Sequence, residues 1–323
     1  MIIKQIDQFI QKHNLIPEGS IIVLGLSGGP DSLFLLHLLS SMHKKGTISL
    51  IAAHLDHQWR ENSHKDVQFC LETTQALGVP LIIGKASELA TEMKWNGSLE
   101  ELGRAMRRQF LTKVAKEHNA DYIALGHHAQ DQQETFFIRL MRGASLPGLI
   151  AMRPKQDTYI RPLLQTNKAD IVAYLEQNKI TYLTDPTNVS PEFLRNRIRN
   201  TVLPALQNCD ARFDQNFLET LNRLQATESY LNEQTQEIFK DLTRTESDFV
   251  WLNVNQLLSL HTIMQHRIIM EWLVRARVSF TPTEKFLEEI IRFCKQPGSK
   301  THTIHCSWML IKKKEWISIS PRT

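Results

Sequence analysis

Residues 25 to 32 read Gly25-Leu26-Ser27-Gly28-Gly29-Pro30-Asp31-Ser32, between the apolar runs Ile21 to Leu24 and Leu33 to Leu36. Adjacent glycines permit positive φ and let a ligand approach backbone amides closely. A helix opening near Asp31 would aim unpaired N–H groups and the positive end of its dipole at the same spot. Ser27 and Ser32 add hydroxyls, so the string suits an anion, above all a phosphate chain. Asp31 by itself would repel that anion, and a carboxylate in this place suggests a bridging Mg²⁺. A capped strand-to-helix turn is the plainer alternative. The full string favours phosphate, although no lysine follows the glycines as it would in a Walker loop.

A second group is Gly126-His127-His128-Ala129-Gln130-Asp131-Gln132-Gln133-Glu134-Thr135. Asp131 and Glu134 are three apart, so on a helix both carboxylates face one way near its N-terminus. Such a pair can hold Mg²⁺ or clamp an ammonium group, and Asp131 could equally cap the helix. His127 and His128 lack the further ligands that zinc needs. Arg104, Arg107 and Arg108 share a helix face at i, i+3 and i+4. That face is either a solvated stripe paired with Glu100 and Glu101 or a holder of ATP or nucleic-acid phosphates. His54 opens the run His54-Leu55-Asp56-His57-Gln58-Trp59-Arg60, where an adenosine would rest if its phosphates lay at the first loop.

The elements that must position these residues alternate. Strands are expected at Ile21–Leu24, Ser49–His54, Leu81–Ile83 and Tyr122–Leu125. Helices are expected at Ser32 to about His43, Ser63–Leu77, Ser98–His118 and Gln130–Arg142. Strands separated by helices imply right-handed βαβ units, hence an α/β, doubly wound, mostly parallel sheet covered on both faces. Ligands bind such sheets where strand C-termini meet helix N-termini, and both groups above fall there. Past Asp210 the character changes to long helical stretches, Asp214 to about Thr243, His261–Arg277 and Thr283–Cys294. The alternating tail from Thr301 to Ser320 suggests a short hairpin around Lys312 to Glu315. The expected division is a catalytic domain over 1–212 and a mainly helical domain over 213–323.

Composition bounds the rest. The 323 residues are 42% hydrophobic and 22% charged with net charge +4, which excludes a disordered chain and permits a polyanionic partner without requiring one. The four cysteines form no CxxC pair, so a reducing compartment fits best. No apolar run is long enough to span a membrane, and residues 1–16 lack a signal-peptide core, so the expectation is a cytoplasmic protein with no membrane partner.

The string Ser27 to Ser32, SGGPDS, resembles the SGGxDS signature of the PP-loop ATP pyrophosphatases, whose fold is adenine nucleotide alpha hydrolase-like. Four further stretches are similar to one family of that group, the tRNA(Ile)-lysidine synthetases. They are GHHAQDQQETFFIRLMRGASLPGL (126–149), HLDHQWR (54–60), YIRPLL (159–164) and DPTN (185–188) leading into FLRNRIR (193–199). The likeness covers about residues 20 to 205. Gln130 stands where the family often has an aspartate, Arg108 where a tyrosine usually follows, and Ala144-Ser145 replaces a glycine-rich pair.

The resemblance implies a reaction. ATP adenylylates O2 of the wobble cytidine in an isoleucine tRNA with a CAU anticodon, releasing pyrophosphate. Free lysine then attacks C2 and expels AMP, leaving lysidine. It assigns Ser27, Gly28, Gly29, Pro30, Asp31, Ser32, His54 and Arg104 to ATP, and Asp31 with Asp131 to Mg²⁺. Lysine falls to Asp131, Glu134, Arg195 and Arg199, and catalysis to Asp31, Asp131, Glu134 and Arg195. Wider tRNA contacts are expected on the C-terminal part, through Arg267, Arg275, Arg277 and Lys312 to Lys314, with the oligomeric state open. The alternatives are a tRNA thiolase of the same superfamily, which would want reactive cysteines near the loop, and a non-catalytic adenine-nucleotide-binding module.

Overall fold

The structure is a computed structural model, and it describes residues 2–59, 62–89, 99–184, 193–246, 249–280 and 282–322. By its internal contacts the chain divides into two units, Met1–Asn222 and Arg223–Thr323. The division falls beyond the expected Asp210–Asp214 boundary, inside a helix that runs from Phe213 to Leu242.

The first unit is built on a six-stranded sheet. Its strands are β1 (Ile21–Gly25), β2 (Ser49–Asp56), β3 (Leu81–Lys85), β4 (Tyr122–Ala124), β5 (Lys155–Gln156) and β6 (Tyr159–Ile160), in the order β3-β2-β1-β4-β6-β5. All neighbours pair parallel except β5, which runs antiparallel to β6. Ile22, Val23 and Leu24 of β1 are wholly buried, as a strand covered on both faces must be. One face is covered by Leu33, Phe34, Leu35 and Leu36 of the helix Pro30–Lys44, and the other by Phe110, Leu111 and Val114 of the helix Leu99–Glu117. The chain order reverses between β1 and β4, and that switch point opens the crevice at the strand C-termini. The expected strands and helices are present to within a residue or two. The β5–β6 hairpin was not foreseen, because two-residue strands carry no periodicity.

The second unit has the expected helices and adds to them more sheet than the expected hairpin. It carries a five-stranded antiparallel sheet, β7 (Thr243–Glu246), β8 (Phe249–Asn253), β9 (Lys300–His305), β10 (Trp308–Lys313) and β11 (Trp316–Pro321), ordered β7-β8-β11-β10-β9. The expected hairpin is the β10–β11 pair, with Lys313 opposite Trp316, and it forms part of that sheet. The edge strand β7 escaped notice because Thr243-Arg244-Thr245-Glu246 is polar throughout, whereas β9 falls within the alternating tail from Thr301. Helices Thr262–Arg275 and Glu284–Cys294 supply the core, with Trp272 wholly buried and its Nε1 donating to the Val250 carbonyl at 2.9 Å.

Two cations expected to face tRNA are internal here. Arg267 donates to both carboxylate oxygens of Glu228, at 2.9 and 2.8 Å, and to Thr235 Oγ1 at 3.0 Å. Lys312 is buried and donates to the carbonyls of Cys294 and Gln296 just past the helix Glu284–Cys294, which satisfies orphan acceptors of that helix end. Arg275 is engaged with Glu271 and Gln236, both at 2.7 Å. Among the described residues no helix is long and apolar enough to cross a membrane.

Candidate active site

The loop after β1 is held open by its own hydrogen bonds. The Ser27 amide donates to Ser32 Oγ at 3.1 Å, Ser32 Oγ donates to the Gly29 carbonyl at 3.0 Å, and the two hydroxyls lie 3.0 Å apart. Gly28 has φ +80°, and a Cβ there would stand 2.6 Å from Leu183 Cδ1, so this position needs glycine on two counts. Its carbonyl accepts from the Leu183 amide at 2.9 Å. Pro30 occupies the first turn of the following helix, where its missing N–H is no loss, and Gly29 is the N-cap in an extended conformation. The end of β4 closes against this turn. A Cβ on Gly126 would come within 3.0 Å of the Asp31 backbone carbon and oxygen and 3.1 Å of the Ser32 nitrogen.

Asp31 is the one carboxylate on this loop. Its Oδ2 accepts from Lys168 Nζ at 3.2 Å and lies 3.7 Å from His128 Nε2, while its buried Oδ1 has no partner. An orphaned carboxylate oxygen beside amides expected to bind phosphate fits Mg²⁺, which takes one or two carboxylates and completes its shell with water and phosphate. No cluster of three or more His, Cys, Asp or Glu able to hold a metal occurs among the described residues. Asp131 is less suited to the metal. Its Oδ2 accepts the His128 amide at 2.9 Å and lies 3.5 Å from that imidazole, and Oδ1 faces Arg199 Nη2 at 3.9 Å. Burial would raise the Asp131 carboxyl, but the two imidazoles, the His128 amide and Arg195 outweigh it and hold the group well below the usual carboxylate range.

Glu134 does not have the free face expected of it. It is wholly buried, accepts from Arg199 Nε at 2.6 Å and Nη2 at 3.1 Å, and lies 3.1 Å from Arg195 Nε. Burial pushes Glu134 up from its ordinary value and the guanidiniums pull it back. Arg199, lowered by burial, is raised overall by its bonds to Glu134. Both lysine-clamp arginines are thus brought to the acidic helix, but Glu134 seats them and has no face left for a cationic substrate. A continuous line results: Lys168, Asp31, His128, Asp131, Arg199, Glu134, Arg195.

The other expected residues divide. Arg104 is exposed on the basic helix. His54 is buried beneath the loop, its Nδ1 3.0 Å from the Leu26 carbonyl, and burial lowers its pKa, which suits a neutral ring that ties β2 to the loop more than one that meets adenine. Arg60, the Glu100 side chain and the stretch 185–188 lie outside the described residues. Lys168 was missed. Its signal was the Asn167–Lys168 helix start after β6, since every helix following a strand of a parallel sheet opens on the same edge. Gln130, the departure from the family pattern, accepts the Lys168 amide through Oε1 at 2.9 Å and so caps the helix Lys168–Gln177.

His57 beside this edge carries a pH prediction. Burial, then Arg107 and His54, bring its pKa down to about 4 against Asp56, and Arg107 Nη2 lies 3.3 Å from Nε2 as donor to a neutral ring. A histidine depressed in the fold stabilises it above the unfolded value, near 6.5, and that contribution is lost as pH falls through about 4. The melting midpoint should therefore fall between pH 6.5 and pH 4, and less so in His57→Gln, whose amide oxygen still accepts. An identical fall in both proteins would remove His57 from the explanation.

Residues 1–206 match the family model described as a PP-loop domain. A tRNA(Ile)-lysidine synthase of Bacillus cereus is 31% identical over 303 residues, which cover 91% of this chain and 64% of that protein. One from Bacillus subtilis is 33% identical over 270 residues, covering 82% and 57%. The chain thus spans less than two thirds of the length of these relatives. The solved U34-tRNA thiolase NcsA from Methanococcus maripaludis shares the fold, with a TM-score of 0.59 at 19% identity over 69% of this chain and 78% of that one. The loop geometry, the sheet order and the match over residues 1–206 agree: this chain belongs to the PP-loop family.

Proposed function

We propose that the chain joins free lysine to C2 of the wobble cytidine of an isoleucine tRNA with a CAU anticodon, at the expense of ATP and through an adenylylated tRNA. The observation that carries the reading is the docking of the Arg195–Arg199 segment onto Glu134 and Asp131, in line with Asp31 of the phosphate loop. It joins the loop that suits phosphate to a cluster of charges that suits an amino acid.

Amides of the loop and the hydroxyls of Ser27 and Ser32 cradle the phosphates and stabilise the charge that grows on departing pyrophosphate. Asp31 would hold Mg²⁺, which neutralises that charge. Lys168, once released from Asp31, is a further phosphate ligand. Asp131, held ionised, is a poor proton acceptor and serves to orient an ammonium group. Arg195 and Arg199, fixed by Glu134, present guanidinium faces to the lysine carboxylate. The second unit, which bears exposed Lys313 and Lys314, supplies wider tRNA contacts in this reading. A thiolase is disfavoured. Cys70, the only cysteine before Cys209, is wholly buried, and burial with Asp66 pushes its thiol up to about 12.

The test is pyrophosphate release from ATP with lysine and tRNA supplied in turn. Release that needs the CAU isoleucine tRNA supports the reading. Equal release without RNA, or none with both substrates, contradicts it.

A further inference from the structure

Two successive histidines, His127 and His128, follow β4. His128 turns to Asp31, while His127 turns to a group of guanidiniums, and burial, with Arg161, Arg104 and Arg195 acting against Asp131, brings its pKa down to about 4. Its buried Nδ1 has no partner. Arg161 follows β6 next door, since the Leu125 amide donates to the Ile160 carbonyl at 3.0 Å. Arg161 is only 9% exposed, its Nη1 donates to the Arg153 carbonyl at 2.8 Å, and its Nε has no partner. Among the described residues no carboxylate pairs with it. A buried guanidinium without a counter-ion, beside further guanidiniums, is costly unless an anion completes it.

The same face continues outward. Arg108 stacks over the Tyr159 ring at 5.2 Å, and the Tyr159 hydroxyl donates to the Arg108 carbonyl at 3.3 Å, which fixes the basic helix over β6. Beyond it lies an open groove of about 690 Å³ along the helix Leu99–Glu117, lined by Arg108, Lys113 and Lys116 with Glu117 the single acid. Arg104, Arg108, Lys113 and Lys116 are all exposed. A compact anion would be served by Arg161 alone, whereas a buried guanidinium next to a file of exposed cations suits a linear polyanion.

We propose that Arg161, Arg104 and His127 form a phosphodiester site for the RNA strand, and that Arg108, Lys113 and Lys116 carry the strand backbone onward along the basic helix. Arg161 donates from Nε and Nη to one phosphate, and His127 donates from Nδ1. Arg104 thereby moves from the ATP role expected of it to the RNA, while the ATP phosphates keep the Ser27–Ser32 loop. The inference rests on the proposed tRNA substrate.

The experiment measures binding of a CAU-anticodon tRNA transcript to the full chain at several salt concentrations, with calorimetric titration of ATP alongside. Arg161→Gln should lose roughly ten- to a hundredfold in RNA affinity, the range of one charge-assisted contact. Its slope of log affinity against log salt should fall by about 0.7 to 0.9. Lys113→Glu with Lys116→Glu, both on the surface, should lower the slope by about twice that. ATP affinity should not change in either variant. If Arg161→Gln fails to fold, the double lysine variant decides alone. Unchanged RNA affinity and slope in a folded variant overturns the site, as does a loss of ATP affinity, which would give the pocket to the nucleotide. The two readings fail separately. A wild-type chain that binds this RNA through these residues but releases no pyrophosphate keeps the site and loses the proposed reaction. Lysine transfer with RNA binding insensitive to both variants does the reverse.

Discussion

Asp31→Asn should lower pyrophosphate release by at least about a hundred- to a thousandfold, the loss typical of removing one preorganised electrostatic group. The fold should hardly notice. Asp31 sits in the first turn of its helix at the open edge of the sheet, and its ion pair at 3.2 Å is with Lys168, whose side chain is 39% exposed. Exposed pairs of this kind contribute about 0 to 1 kcal/mol. The substitution also removes the negative charge of the only carboxylate of the loop and leaves a neutral amide where the orphaned Oδ1 suits a cation. Turnover and the melting midpoint, measured on the same preparation, should part company. Near-normal turnover at ordinary Mg²⁺ would take Asp31 out of the phosphate chemistry.

Glu134→Gln has the opposite signature, a loss of stability and of function together. The carboxylate is wholly buried between Arg199 and Arg195. Removing one partner of a buried ion pair costs about 3 to 5 kcal/mol, because the remaining charge stays desolvated. Denaturant unfolding should show that loss. Where the variant still folds, the KM for lysine should rise more than that for ATP, since both arginines lose their seat while the phosphate loop stays intact. A variant with wild-type stability and only the ATP KM raised would mean that Glu134 serves the nucleotide and does not fix the arginines.

What could be read from the sequence was local. The loop from Ser27 to Ser32 declares itself because glycines, hydroxyls and carboxylate are contiguous. The strands β1 to β4 are short apolar runs bounded by turns. The pairing of Glu134 was not legible because its partner Arg199 is 65 residues away, and a carboxylate met alone reads as free. Lys168 lies 137 residues from Asp31, and only the parallel sheet brings both to one edge. Arg161 stood in the sequence only within the family-like stretch Tyr159 to Leu164, and its burial follows from the β5–β6 hairpin, which two-residue strands do not announce. The second sheet was legible only in its alternating tail, because its outer strand Thr243–Glu246 is polar throughout and cannot be distinguished from loop.

The central claim is that ATP is cut between its α and β phosphates to activate RNA for attack by lysine. It is tested most directly by following label from ATP into a CAU isoleucine tRNA with lysine withheld. Label from the α-phosphate should enter the tRNA, and label from the γ-phosphate should not. Adding lysine should then expel the first label as AMP and raise the tRNA mass by one lysyl group. Label arriving from the γ-phosphate, or lysine joining the RNA with ATP cut elsewhere, would contradict the account.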